Sequence, residues 1–277
     1  NTLQTLGDVL TRTREHSEAE DMYLSAIEMY REIGADLGTA HTLVSLGQLR
    51  QMLGNDNAAA DAYAEALPIF QELDDVVGEA NTIQAQGQVL LSQGNLEEAF
   101  EHTLSAMALH VMADNALGIG ACHGYLMRIA LDANALAEAI VLGARAYQGF
   151  LEISYVHGAA VTLQELGASF MQTDPTAGAA CLLHAEALLR ELSDPMAEDI
   201  ASDFEAIEFQ PEALASIRPH AAAIVQALFK GAEASAARGE CDPYRLPSTT
   251  DAESTIKIAA EPQEHRDQNA QEIAKDV

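Results

Sequence analysis

Glycine returns every forty residues in this chain, and no other feature constrains its fold as tightly. Gly38, Gly78, Gly118 and Gly158 stand forty residues apart, and Gly7, Gly47, Gly87 and Gly167 keep the same period with Met127 in the remaining slot. Ala19, Ala59, Ala99, Ala139 and Ala179 form an unbroken series; Ala26, Ala66, Ala106 and Ala146 form another, broken at Glu186. Large residues hold the register too: Tyr30, Phe70 and Phe150, then Ile33, Leu73 and Ile153. Self-similarity at this period means stacked supersecondary units, each burying its apolar face against its neighbours.

Each period reads as two helices. Gly38 opens one that carries His41, Leu43, Leu46 and Leu53; Gly54-Asn55-Asp56-Asn57 is a turn, because Gly and Asn tolerate left-handed backbone angles and Asn or Asp can cap the next helix. The second helix carries Ala59, Ala62, Tyr63, Ala66, Leu67 and Phe70 at three- and four-residue spacing. Gly94-Asn95 and Ala133-Asn134 repeat the inner turn, and Asp174-Pro175 replaces it in the fifth period. Small residues such as Gly47 and Ala59 fit where the paired helices cross, since a larger side chain would push the axes apart. Composition agrees: 48% of residues are apolar but only 5% aromatic, with no Trp, which favours close-packed helices over a β-sandwich.

These residues resemble the tetratricopeptide repeat family in a forty-residue variant. The resemblance rests on Leu6-Gly7, Leu46-Gly47 and Leu166-Gly167 in first helices, and on Ala19, Tyr23 and Ala26 or Ala59, Tyr63 and Ala66 in second helices. It implies an all-α, right-handed solenoid of about five helix–turn–helix repeats over residues 1–194. Two repeats depart from the pattern. The third has Gln86 and Thr103 in place of Leu and the aromatic; the fourth has Leu126-Met127 in place of Leu-Gly, and Gly143 for the aromatic. Looser packing or a bend is expected in the fourth. Asn1 aligns with His41 and Asn81, inside a first helix, so further residues are expected upstream. After Asp194-Pro195 the period fails, and 195–238 reads as capping helices interrupted at Pro219. Residues 239–277 are polar, with Pro243, Pro247 and Pro262, and read as a disordered tail or linker.

The charge and the motifs narrow the function. Net charge is −29, with 43 acidic and 14 basic residues, so no basic face for nucleic acid can be assembled and docking to anionic lipid is disfavoured. A basic protein or peptide would be steered toward such a surface. No run approaches a membrane span. Cys122, Cys181 and Cys241 form no CxxC motif, and a reduced, cytoplasmic setting is expected. GxxxxGK(S/T), GxSxG, HExxH and DxDxDG motifs are all missing, and no two histidines stand three or four residues apart. Neither catalysis, a cofactor nor a metal site is expected.

A solenoid of helix pairs presents its first helices on the concave side. The face turned away from the paired helix carries Gln4 and Asp8 in the first repeat, His41, Gln48 and Gln51 in the second, and Asn81, Gln84 and Gln88 in the third. Arg128 and Gln164 follow in the fourth and fifth, with Leu91, Leu131 and Met171 as apolar points alongside. Primary amides donate and accept at once, which suits an extended peptide backbone. The expected function is therefore a protein–protein interaction scaffold that holds an extended segment in this groove. An alternative is the sensor or regulatory region of a larger signalling protein with an ATPase, cyclase or transcription-regulating part elsewhere. Self-association through the solenoid ends is a third reading.

Overall fold

The structure, a computed structural model, describes residues 2–206 and 209–245. Five helix pairs come first: α1 (Thr2–Arg12) with α2 (His16–Glu32), α3 (Asp36–Met52) with α4 (Asp56–Glu72), α5 (Val76–Ser92) with α6 (Leu96–Met112), α7 (Ala116–Asp132) with α8 (Leu136–Glu152), and α9 (Val156–Phe170) with α10 (Pro175–Glu191). Then follow α11 (Met196–Ala206), α12 (Pro211–Ile217), a 3-10 turn at Arg218–His220 and α13 (Ala221–Ala237). No strand occurs among the described residues. Each helix packs on the next, and the first helices also touch one another, α1 with α3, α3 with α5, α5 with α7 and α7 with α9. That second set of contacts puts the first helices on the inner side of the curve. The chain is an all-α solenoid.

A twenty-residue rhythm lies beneath the forty-residue one. Left-handed backbone angles fall at Arg14, Gly34, Gly54, Asp74, Gly94, Asp114, Asn134 and Ser154, then at Ser193. At each, the following amide reaches back five residues to close the helix end: Ala35 N–H to Tyr30 O at 2.8 Å, Asn55 N–H to Arg50 O at 2.8 Å, Asp75 N–H to Phe70 O at 2.9 Å. This is the Schellman closure, which satisfies carbonyls that a helix terminus otherwise orphans. The turn before α10 is built differently. Asp174 Oδ1 accepts from Ala177 N–H at 3.1 Å and Pro175 occupies the first helical turn.

Two series of glycine contacts set the spacing between helices. Within a repeat, a Cβ on Gly47 would stand 2.4 Å from the buried Tyr63 ring, and one on Gly7 2.6 Å from Tyr23. Between repeats, Gly38 lies against Tyr30, Gly78 against Phe70, and Gly118 against His110. Ala59 and Ala66 are fully buried beside them. His110 thus fills a slot that holds Tyr30, Phe70 or Phe150 elsewhere. Its Nδ1 meets the Asn115 amide at 3.2 Å, its Nε2 is buried without a partner, and burial lowers its pKa.

The fourth repeat corrects an expectation. Met127 and Gly143 do not loosen the packing; they exchange sizes across one contact. Met127 is fully buried, and a Cβ on Gly143 would lie 2.9 Å from Met127 Sδ and 2.6 Å from Leu166 Cδ1. Large and small residues have traded helices while their sum is kept. In the third repeat the ring is lost instead. Thr103 is buried and turns its hydroxyl back to Ala99 O at 2.8 Å, and a Cβ on Gly87 would meet nothing closer than 3.3 Å.

The period also runs one step further than the small residues do. Helix starts at Asp36, Val76, Ala116 and Val156 are followed by Met196, forty residues on. The broken alanine series has a physical reason. Glu186 is buried, with its carboxylate held by Arg190 Nε at 2.8 Å and Arg218 Nη1 at 3.0 Å, so the side chain that replaces alanine ties the 3-10 turn to α10. Pro219 lies in that turn. α13 packs across α10 and α8, with Phe229 against Tyr147 and Glu233 accepting from Arg145 Nε at 3.1 Å.

Of the tail expected over 239–277, residues 239–245 fold back on the solenoid and 246–277 lie outside the described residues. Tyr244 sits 5.1 Å under the Arg145 guanidinium, and its hydroxyl meets His123 Nε2 at 2.9 Å. Burial, followed by the charge of Arg145, lowers the His123 pKa to about 4. Ile207, expected in the helix that follows Pro195, also lies outside the described residues.

The size exchange makes a direct prediction. Met127→Gly alone should cost about 2–5 kcal/mol through its cavity, and Gly143→Tyr alone at least about 1–3 kcal/mol through overpacking. Combined, they restore the pairing seen at Gly47 and Tyr63, and urea denaturation should show a favourable coupling of about 1 kcal/mol or more. Strictly additive losses would refute the exchange.

Candidate functional site

The five first helices bring the candidate residues onto the inner face. His41, Gln48, Asn81 and Arg128 are exposed there, and Gln4, Asp8, Gln51, Gln84, Gln88 and Gln164 are half-buried. They are not equally free. Gln51 Oε1 accepts from the Tyr63 hydroxyl at 3.2 Å, and Gln84 Oε1 accepts from Cys122 Sγ at 3.3 Å. Asp8 Oδ1 accepts from the Tyr23 hydroxyl at 2.8 Å, and the His41 ring packs edge-on to Phe70 with centroids 5.0 Å apart. Gln51 and Gln84 are therefore already partnered within the solenoid. Gln51 reaches a donor on its paired helix α4, and Gln84 one on the neighbouring first helix α7. Gln4, Gln48, Asn81, Gln88 and Gln164 make no side-chain hydrogen bond among the described residues.

Where α3, α5 and α7 run side by side, Gln51, Gln88, Leu91, Ser92, Tyr125, Arg128 and Asp132 line a pocket of about 250 Å³. Arg128 Nη1 is 3.7 Å from the Glu165 carboxylate on α9. Burial raises the Glu165 pKa; Arg128 opposes the rise and Asp132 adds to it. The Tyr125 pKa is likewise raised, mainly by burial and then by Glu165. The pocket offers two amides, one guanidinium, a carboxylate with a second close by, a phenol and one aliphatic wall. These groups can both donate to and accept from polar backbone and side chains. Cys122 nearby is no nucleophile at neutral pH, because burial pushes its thiol up to about 12. Among the described residues, no group of three or more His, Cys, Asp or Glu side chains is placed to hold a metal.

Sequence reasoning missed Tyr125, Ser92, Asp132 and Glu165. Tyr125 occupies the slot of Ser45, Ala85 and Glu165, so it follows no periodic series. The available signal was that break in pattern: a large aromatic on the polar face of a first helix.

Residues 1–72 match the family model described as tetratricopeptide repeat. No curated protein matches the sequence. Among solved structures, BtubC (BKLC) from P. vanneervenii is similar with a TM-score of 0.59 at 17% identity, over 83% of this chain and 95% of that one. A Podosopora anserina putative kinesin light chain with nearly identical TPR-like repeats is similar at TM-score 0.54 and 11% identity, over 69% of this chain and 95% of that one. At these identities the likeness is one of fold. No helix among the described residues is long and apolar enough to cross a membrane.

The two classes of glutamine should separate in a stability measurement. Gln84→Ala strands the Cys122 donor, and Gln51→Ala the Tyr63 hydroxyl; each should cost about 0.5–1.5 kcal/mol. Gln48→Ala and Gln88→Ala should stay within about 0.5 kcal/mol of the parent. Urea denaturation of the four variants checks the order, and equal effects would contradict the hydrogen bonding described.

Proposed function

The chain is a tetratricopeptide-repeat protein, and from that premise we propose that it is a protein–protein interaction module holding an extended peptide or protein segment along the inner face of the solenoid. The observation that carries this reading is the row of unpartnered amides at Gln48, Gln88 and Gln164 on stacked helices, with the Arg128 pocket beside it. A bound segment would exchange water for these amides. Its backbone presents donors and acceptors alternately, which a carboxamide can match at either end. Leu91 and the Tyr125 ring supply the apolar contact that gives register. The tetratricopeptide repeat match over residues 1–72 supports an interaction role in general and says nothing of the partner.

Carboxylate capture is disfavoured as the main mode. Arg128 is the single cation lining the pocket, and Glu165 and Asp132 both bear on it. An extended segment with neutral or basic side chains suits the electrostatics better.

The test is a selection of random extended peptides against the full chain, followed by titration of the enriched peptides. Gln48→Ala and Gln88→Ala should each weaken binding several-fold, about 0.5–1.5 kcal/mol apiece, and the double change by roughly the sum. Melting temperature should stay unchanged. Full affinity in the folded double variant would eliminate the inner face as the site.

A further inference from the structure

The large apolar side chains that stay exposed are not scattered. Most of them gather at the turns that join the second helix of one repeat to the first helix of the next. Ile33, Leu73 and Ile153 are exposed at one repeat position, and Leu37, Val77 and Leu117 at another, four residues on. The third turn has Ala113 where the others have a branched residue, and Met112 beside it is exposed instead. Exposure reaches 74% at Ile33 and 76% at Met112. The opposite edge, made by the turns within repeats, is a built-in control. Its turns carry the same left-handed residue and the same closing hydrogen bond, at Gly54, Gly94 and Asn134. There Met52 and Leu53, the latter matching Ile33, are exposed at the first such turn, but the residues matching Leu73, Val77 and Leu37 are Gln93, Glu97 and Asn57. The backbone of the turn therefore does not require apolar side chains, and the fold does not explain the stripe.

Its border is anionic. Glu32, Asp36, Glu72, Asp74, Asp114 and Glu152 lie on the same turns and are exposed. Arg31, on the first of them, is taken up in an ion pair with Glu65. Successive repeats advance by about one helix-packing distance, so the four turns extend over roughly 30 Å, the length of a helix of about twenty residues. A second copy of the chain would bring acid against acid across this edge, and an anionic membrane would be repelled. What complements it is an apolar ridge flanked by positive charge.

We propose that this edge docks an amphipathic helix of a partner protein, with aliphatic residues laid along Ile33, Leu37, Leu73, Val77 and Leu117 and with Lys or Arg on its flanks facing the acids. The site is separate from the inner face and does not depend on it.

The probe is a synthetic twenty-residue helix of about this span, with leucines on one face and lysines on its flanks. Two controls accompany it: the same composition scrambled so that no apolar face forms, and the leucine design with glutamates for lysines. Each is titrated by fluorescence anisotropy into the full chain, into Ile33→Gln/Leu73→Gln/Leu117→Gln, and into Gln48→Ala/Gln88→Ala. The Leu/Lys helix should bind, and both controls should bind at least about tenfold more weakly. The stripe variant should lose at least about tenfold in affinity at unchanged melting temperature, while the groove variant keeps full affinity. Should the triple variant melt lower, Ile33→Gln alone carries the test. Equal binding of the scrambled peptide, full affinity in the stripe variant, or loss confined to the groove variant would overturn the proposal. So would sedimentation of the chain alone as a dimer that the stripe variant abolishes.

Discussion

In the first two repeats and at the junctions that follow them, helix spacing depends on an aromatic ring packed against a helix position that has no side chain. Gly47 under Tyr63 and Gly7 under Tyr23 hold paired helices together; Gly38 under Tyr30 and Gly78 under Phe70 hold successive repeats together. A ring packed against bare backbone makes van der Waals contact at a separation that a side chain on that helix would prevent. The forty-residue glycine period is therefore a statement about distance. Because the spacing repeats, the first helices fall into one row and the inter-repeat turns into another. The groove and the apolar edge are consequences of the same contact, expressed on different faces.

The periodic part of this design was legible in the residues. Helix pairing, the inner-face positions and the turn at Gly54-Asn55 follow from spacing and turn chemistry alone. What eluded the sequence was relational. Met127 and Gly143 each look like a defect at their own position; only the contact shows that one compensates for the other. Glu186 looks like a break in an alanine series until Arg218, thirty-two residues on, is seen at its carboxylate. Gln51 and Gln84 look solvent-facing until the donors on Tyr63 and Cys122 are placed. Long-range pairs of this kind have no periodic signature, so a reading based on period misses them. Tyr244, returning from beyond α13 to His123, is the extreme case.

The two surfaces call for different partners. The inner face offers amides without partners and one pocket with a guanidinium among carboxylates, and under the proposed function its specificity would come from hydrogen bonds and register. The turn edge offers aliphatic side chains within an anionic border, and in the proposed docking its specificity would come from shape and charge. Because the surfaces lie on different faces of the same stack, one partner could engage both, or two partners could be held side by side.

The central claim is that the ring-on-glycine contact sets the helix spacing, and the sign of a glycine-to-alanine change tests it most directly. In an ordinary helix the change is stabilising by about 1 kcal/mol. Gly124 and Gly149 lie in α7 and α8 with nothing within 4 Å of an added Cβ, and both should show that gain. Gly47 lies in α3, where the added Cβ would stand 2.4 Å from the Tyr63 ring, which is itself fully buried. Gly47→Ala should therefore be destabilising, by about 1–3 kcal/mol in urea denaturation despite the better helix propensity. A gain in stability at Gly47 equal to that at Gly124 would mean that the contact is slack, and the spacing of the solenoid would need another cause.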